Sequence, residues 1–311
     1  MDRLNLPFSG VPSFLRAPLA RPDQLQDAEI AVIGIPSDEG TPWVPGSRFG
    51  PRSIREQSMR LAAYGAGVYD IRNDRSYLGR EMDEERIIDC GDVDVVFTNR
   101  ELTFQNATDD IRAIIAAGAL PVVLGGDHGV SFPSVRAFSQ DLTVVQFDAH
   151  LDMKAPSEAF TYSNGTPFYL ISELAHVRKV VQVGIRSLRT RKADLDASLG
   201  MGNAVVQMEQ YSAQGPESML REIPDGPVYI SVDIDALDIS LIPGCASGEP
   251  DGFQFGQLRD ALQALARRHQ IVGIDVVEVN PVIDVRSGAT SLLAAQLLVE
   301  LLGEISVQRD A

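Results

Sequence analysis

The sequence predicts an α/β fold, a mostly parallel β-sheet with helices packed on both faces. Three observations point to it. Short runs dense in Val, Ile and Leu, such as 120–125, 142–149 and 271–279, are apolar at successive positions, which suits strands buried on both faces. Segments with helical apolar spacing lie between them, so strand and helix alternate along the chain. The unusual polar residues fall at the carboxyl ends of four of these strands, where open α/β sheets hold their ligands.

Residues 1–28 are Pro-rich and polar without a clear period, and read as an N-terminal arm. The first strand is expected at 29–36 (EIAVIGIP), an apolar β-branched run that stops at a proline. A Gly- and Pro-rich loop, 37–47, follows it. Pro51 suits the first position of a helix running to Ala63, because it gives up an N–H that would be unpaired there. Residues 87–96 read as a strand interrupted by a turn at Gly91, and 106–117 as a helix. Strands are then expected at 120–125, 142–149, 178–185, 204–208, 227–235 and 271–279. Helices are expected at 131–139, 167–175, 190–199, 216–222, 255–268 and 289–304. No linker, charge-run boundary or internal repeat divides the rest, so 29–311 is expected to be a single domain.

At 311 residues the chain can bury a sizeable core. Its 43 acids against 27 bases give a formal net charge of −16, which argues against nucleic acid or an anionic membrane as partner. An acidic surface favours a small cationic substrate. Cys90 and Cys245 suggest no disulfide framework and no CxxC pair. No basic stretch followed by an apolar one opens the sequence, and no apolar run approaches the ~18–20 residues of a membrane span. The expectation is a soluble, cytoplasmic protein.

Four strand ends carry the chemistry. In Gly125-Gly126-Asp127-His128 a buried strand ends in two glycines that let the backbone turn and approach a ligand. In Asp148-Ala149-His150-Leu151-Asp152 three ionisable groups sit at alternate positions, and share a face if strand geometry persists. Such groups cannot be core, and a cation is their simplest partner. In Asp233-Ile234-Asp235 two carboxylates again share a face, and would repel unless a cation neutralises them. Asp238 lies further into the loop and reads as a turn or cap residue. In Asp275-Val276-Val277-Glu278 the last carboxylate is placed to hold a planar cation by a charge-assisted pair, a structural salt bridge being the competing reading.

Together His128, Asp148, His150, Asp152, Asp233 and Asp235 offer four carboxylates and two imidazoles. That set suits two divalent ions, Mn²⁺ first and Ni²⁺, Co²⁺, Fe²⁺ or Zn²⁺ next, because it is mixed O/N without thiolate. Two such ions ~3.5–4 Å apart would bridge a water and lower its pKa, which is hydrolase chemistry.

With these motifs in place, the chain resembles the ureohydrolase family of arginases and agmatinases, most closely its agmatinase branch. The matching stretches are GGDH (125–128), FDAHxD (147–152), SxDID with a following Asp (231–238), DVVEVNP (275–281) and PGSRFGPRSIRE (45–56). The resemblance covers nearly the whole chain. It implies a three-layer αβα sandwich with an eight-stranded sheet, and hydrolysis of a guanidino group to urea and an amine. It also implies that His128, Asp148, Asp152 and Asp233 ligate one metal and Asp148, His150, Asp233 and Asp235 the other. Asp148 and Asp233 would bridge the two ions, Glu278 would grip the substrate guanidinium, and trimers or hexamers are usual.

The departures lie around the substrate. Where the family usually has a His in a pattern like HGTPF, this chain has Asn164, and an amide cannot transfer a proton to a leaving amine. No other His replaces it in sequence: His176 and His269 lie near expected helix C-termini, a common structural setting. Gly129 stands where Ser is common, and 243–252 (PGCASGEPDG) replaces a pattern like PGTGTPEPGG. The substrate is therefore not necessarily agmatine: guanidinobutyrate, free guanidine or a biguanide fit the expectation. A weakly active or regulatory subunit paired with a paralogue, or a formimino or acyl-amide hydrolase of the same fold, are the alternatives.

Overall fold

The computed structural model describes residues 6–63, 65, 67–158 and 160–310. Along the chain run β1 (Ile30–Ile35), α1 (Gly50–Ser58), β2 (Val68–Asp70), β3 (Arg75–Tyr77), α2 (Gly79–Asp83), β4 (Ile87–Asp92) and α3 (Arg100–Ala116). Then come β5 (Leu120–Gly125), α4 (Ser131–Arg136), β6 (Leu142–Phe147), α5 (Pro167–Ser172), β7 (Val177–Ile185), α6 (Lys192–Gly200) and β8 (Ala204–Gln207). The last are α7 (Met208–Gln214), α8 (Glu217–Leu220), β9 (Val228–Asp233), α9 (Phe255–Arg268), β10 (Ile271–Val277) and α10 (Ala289–Asp310).

Eight strands form one sheet in the order β4-β1-β5-β10-β9-β6-β7-β8, every neighbouring pair parallel. Alternate strand residues feed two separate cores, which is why the strands are apolar at nearly every position. Val122, Leu124, Ile230 and Val232 join α1, α9 and α10 on one face. Ala31, Ile33, Val123, Val144 and Tyr229 join α3, α4 and α5 on the other. The result is the three-layer αβα arrangement. Its central strands β5, β10, β9 and β6 are adjacent, although their sequence positions span more than half the chain.

The boundaries differ from expectation where polar contacts override the apolar pattern. The 142–149 strand ends at Phe147, so Asp148, His150 and Asp152 lie in the turn that follows and not along a strand face. The 227–235 strand ends at Asp233, and Asp235 sits in a single 3-10 turn, Ile234–Ala236. Pairing stops at both tips because the carboxylates cap the turning backbone: Asp148 accepts from His150 N at 2.5 Å and Asp233 from Asp235 N at 2.8 Å. Helix α3 starts six residues before expectation, where Asn99 caps it by accepting from Leu102 N at 3.0 Å. The 87–96 strand closes at Asp92, and the helices at 131–139, 167–175 and 216–222 are each shorter.

Helices α2 and α7 and the hairpin β2–β3 are unexpected. The hairpin is held by polar contacts that have no period. Asp70 accepts from the Tyr77 hydroxyl at 2.9 Å, while Arg72 and Arg75 reach Glu300 and Glu304 on α10 at 2.5 and 2.6 Å. Helix α10 is long and apolar enough to cross a membrane, contrary to the expectation that no stretch approaches that length. However, 78% of its apolar window is buried against the rest of the protein, so it serves as a core helix.

Residues 6–28 pack on the sheet edge. Phe14 and Leu15 are buried, and Phe14 N donates to Asp89 at 2.7 Å. The same carboxylate pairs with Arg55 of α1, whose guanidinium also donates to Asp92 and the Gly91 carbonyl, both at 2.6 Å. Removing the guanidinium would leave Asp89 buried without its counter-charge. Arg55→Ala is therefore expected to lower the unfolding free energy by about 3–5 kcal/mol in denaturant titrations. A loss below about 1 kcal/mol, the level of a surface pair, would contradict that role.

Candidate metal centre

The carboxyl ends of β5, β6, β9 and β10 bring His128, Asp148, His150, Asp152, Asp233, Asp235 and Glu278 to one place. Two groups that each hold an imidazole form there and share Asp148, and a third brings the buried Cys245 thiol to Asp233 and Asp235. The His128 Nδ1 lies 3.0 Å from both Asp148 Oδ2 and Asp152 Oδ2, and 3.2 Å from Asp233 Oδ2. The His150 Nδ1 lies 3.0 Å from Asp235 Oδ2 and 3.3 Å from Asp148 Oδ1. Asp148 thus turns one oxygen to each imidazole. Asp233 joins His128 directly and lies beside Asp235 through the Asp235 N–H it accepts.

The surrounding structure fixes each donor. Asp275, fully buried in β10, accepts hydrogen bonds from the Ser231 and Tyr229 hydroxyls at 2.7 and 2.8 Å. With its proton on Asp275, the Ser231 oxygen can only accept from His128 Nε2–H, 3.0 Å away. That leaves the His128 Nδ1 lone pair aimed at the carboxylates, with no hydrogen-bond partner of its own. Beneath Asp148 a chain of buried amides runs from Ser198 through Gln182 and Gln146, each contact 2.6 Å, ending with the Gln146 amide donating to Asp148 Oδ2. Asp235 accepts from Ala149 N at 3.0 Å and the Ser247 hydroxyl at 2.8 Å. On the outer side His150 Nε2 faces Glu249 at 3.5 Å, and Glu249 is held by Ser187 and Arg189.

Backbone conformation supports the placement. Asp152 and Glu278 are non-glycine residues in the left-handed region, φ 49° and 63°, which costs energy and recurs where a side chain must be aimed. Gly126 is glycine for want of room: a Cβ there would lie 1.9 Å from the Ser37 carbonyl oxygen. Glu278 N donates to the Gly126 carbonyl at 2.8 Å, so the β5 turn holds the β10 tip in place.

The electrostatics call for cations. Burial, then Asp235 and Asp148, push the Asp233 carboxyl far above its ordinary range. Burial and the neighbouring Asp148 push Asp152 up to about 6. Burial, with Asp127 next, pushes Glu278 up to about 8. Burial would lower the His150 imidazole, but Asp235 and Asp148 outweigh it and raise it to about 12. Asp148 runs the other way: burial raises it, but the His128 and His150 imidazoles outweigh that and hold it well below its ordinary range. With both imidazoles neutral, as metal ligation requires, divalent cations are the counter-charge that suits this set of carboxylates. The orphaned His128 Nδ1 and the O/N donors around it fit such ions, whereas burial, then Asp235 and Asp233, push the neighbouring Cys245 thiol well above its ordinary range and keep it protonated.

Glu278 has a different setting. Its Oε1 accepts from His128 N at 3.0 Å and from the Asn164 amide at 3.5 Å, and no Lys or Arg pairs with it among the described residues. The structural salt bridge that competed for this carboxylate is therefore not its role. Asn164 lies on the wall of a cavity of about 570 Å³ that also includes Gly40, Phe160 and Tyr162. Asp127 of the GGDH stretch is not a donor to the cluster: it pairs with Arg100 and accepts from Gly40 N and Gly129 N at 2.8 and 2.9 Å. Asp238 caps the turn 239–241 by accepting from Ser240 N at 3.0 Å. Sequence reasoning missed the orienting roles of Ser231, Gln146, Gln182 and Glu249; only Ser231 carried a signal, its place in the SxDID stretch.

A parallel sheet that presents buried imidazoles and carboxylates at the carboxyl ends of its central strands defines a metal-dependent enzyme of α/β class. A family model, the arginase family, matches residues 28–303. The chain is 31% identical over 282 residues to an agmatinase of Bacillus anthracis, covering 89% of this chain and 92% of that one. It is 32% identical over 309 residues to a guanidinobutyrase of Pseudomonas aeruginosa, covering 95% and 92%. Among solved structures, the proclavaminate amidinohydrolase of Streptomyces clavuligerus superposes with a TM-score of 0.84 at 28% identity, covering 97% and 99%. The chain belongs to the arginase family.

Because Ser231 fixes the His128 tautomer, Ser231→Ala is expected to weaken divalent-metal binding by about 10–100-fold. Calorimetric titration of the metal-stripped protein with Mn²⁺ checks it. Unchanged affinity would mean that the ring is held by packing alone, against Phe168 at 5.0 Å.

Proposed function

We propose that the protein hydrolyses a guanidino C–N bond, releasing urea and an amine, with two divalent ions at the strand tips. The observation that carries this reading is the pairing of a cation-demanding cluster with Glu278, a buried carboxylate beside it that has no cation of its own. A guanidinium is the planar cation that a carboxylate in that position binds best. His128, Asp148, Asp152 and Asp233 would hold one ion, and Asp148, His150, Asp233 and Asp235 the other. The oxygen-rich donor set favours Mn²⁺. When bound, the ions supply Lewis acidity and an activated water. The chain's own residues orient the substrate: Glu278 accepts from the guanidinium, and Asn164, at its side, offers an amide to the same group. Assembly as a trimer or hexamer belongs to the same proposal.

Full-length protein loaded with Mn²⁺ is expected to release urea from at least one member of a panel of guanidino compounds, measured as urea. Metal-bound protein that releases none from any of them would contradict the reading. Glu278→Gln keeps the shape but not the charge, and is expected to lower kcat/KM by at least about 100-fold.

Asn164 favours one alternative, a weakly active subunit that works beside a paralogue. Positioned acid–base catalysis contributes about 10²–10⁴-fold, so Asn164→His is expected to raise kcat if proton transfer to the leaving amine limits turnover. An unchanged kcat with full turnover by the lone chain would exclude that alternative and leave Asn164 an orienting group.

A further inference from the structure

Glu278 accounts for one end of the substrate, and the walls around it describe the other. We propose that the far end is an anion, a carboxylate on a short alkyl chain, and that Lys154 is the residue that receives it. The proposal rests on the guanidino-hydrolase reading above and narrows it to a substrate class, the ω-guanidino acids.

Lys154 lies two residues beyond Asp152 and lines two cavities beside the site. One, of about 570 Å³, also includes Asn164, whose amide lies 3.5 Å from Glu278. The other, of about 200 Å³, includes His150 and Asp152. Lys154 N donates to the Gly165 carbonyl at 2.9 Å, so the segment bearing Lys154 is fastened to the loop bearing Asn164. A molecule reaching from Glu278 past Asn164 therefore runs along a wall that contains Lys154.

The charge at this wall is unspent. Lys154 is half-buried, its Nζ rests 3.9 Å from the centroid of the Phe160 ring, and it has no ion-pair partner among the described residues. The other cations around the two cavities are committed: Arg100 to Asp127, Arg189 to Glu249 and Arg191 to Asp194. A partly desolvated ammonium against an aromatic face gains most from an anion brought into the same cavity. The larger cavity also includes one acid, Glu39, but that residue is exposed and already accepts from the Ser37 hydroxyl at 3.0 Å. A substrate with an ammonium tail would have to enter beside Lys154 as a like charge. A guanidino acid is a zwitterion, so the chain's net charge of −16 does not repel it. Pro42 and Phe160 give the alkyl linker an apolar path between the two charged ends.

The test compares 4-guanidinobutyrate with agmatine, near-isosteres of opposite tail charge, on the metal-loaded full chain. Both urea release and equilibrium binding by calorimetry are measured. Wild-type protein is expected to favour 4-guanidinobutyrate at least about 10-fold in kcat/KM and in Kd. Lys154→Met should raise KM for the acid about 10-fold with kcat within about twofold, and Lys154→Glu should turn the preference towards agmatine. A purely structural role for Lys154 would move both compounds alike and leave their ratio unchanged. Equal or better binding and turnover of agmatine by the wild type would overturn the proposal, as would Lys154→Met with unaltered KM and Kd for the acid. Lys154-dependent preference for the acid in binding, with urea from neither compound, would support the Lys154 assignment and overturn the hydrolase reading. Loss of both preference and urea would overturn both.

Discussion

Mutual repulsion among buried carboxylates is the constraint on which this structure depends. Asp148, Asp233 and Asp235 are buried at adjoining strand tips, Asp152 joins them beside His128, and Glu278 stands within one hydrogen bond of the same imidazole's backbone. Nothing in the hydrophobic core favours that crowding. It persists because each oxygen is held from behind: by the amide chain under Asp148, by Ser247 and Ala149 on Asp235, and by the turn backbone on Asp233. Bound divalent cations would remove the remaining repulsion, and stability and chemistry would then draw on the same ions.

Sheet topology makes the crowding possible. Placing β10 between β5 and β9 sets the last motif in the sequence, Glu278, beside the first, His128, across a separation of 150 residues. The proposed metal donors come mainly from β5, β6 and β9, whereas the groups proposed to face the substrate come from the β10 tip and two loops. The metal-facing half is buried and tightly hydrogen bonded. The loop half, with Asn164 and Lys154, is half-buried, and Asn164 is one of the positions where this chain departs from the family pattern.

The parallel sheet, both helical layers and the gathering of six ionisable residues at the strand ends were legible because each rests on local pattern. Apolar runs mark the strands, and carboxylates that follow such a run have no place in a core. The reason given for Asp148, His150 and Asp152 was nevertheless incorrect: they converge through a tight turn and a left-handed Asp152, not through strand alternation. The hairpin at 68–77 was illegible because Arg72 and Arg75 find partners on a helix more than 200 residues away. Ser231 was visible only as part of a motif, and its role on His128 appears once Asp275 fixes which way its proton points. Lys154 carried no signal in sequence at all, since its want of an ion-pair partner among the described residues shows only in space.

The most direct test of the central claim is an anomalous-diffraction experiment on crystals of the Mn²⁺-loaded protein. The account predicts two anomalous peaks per chain, one ringed by His128, Asp148, Asp152 and Asp233, the other by Asp148, His150, Asp233 and Asp235. A single peak, or metal bound elsewhere while urea is still released, would contradict it.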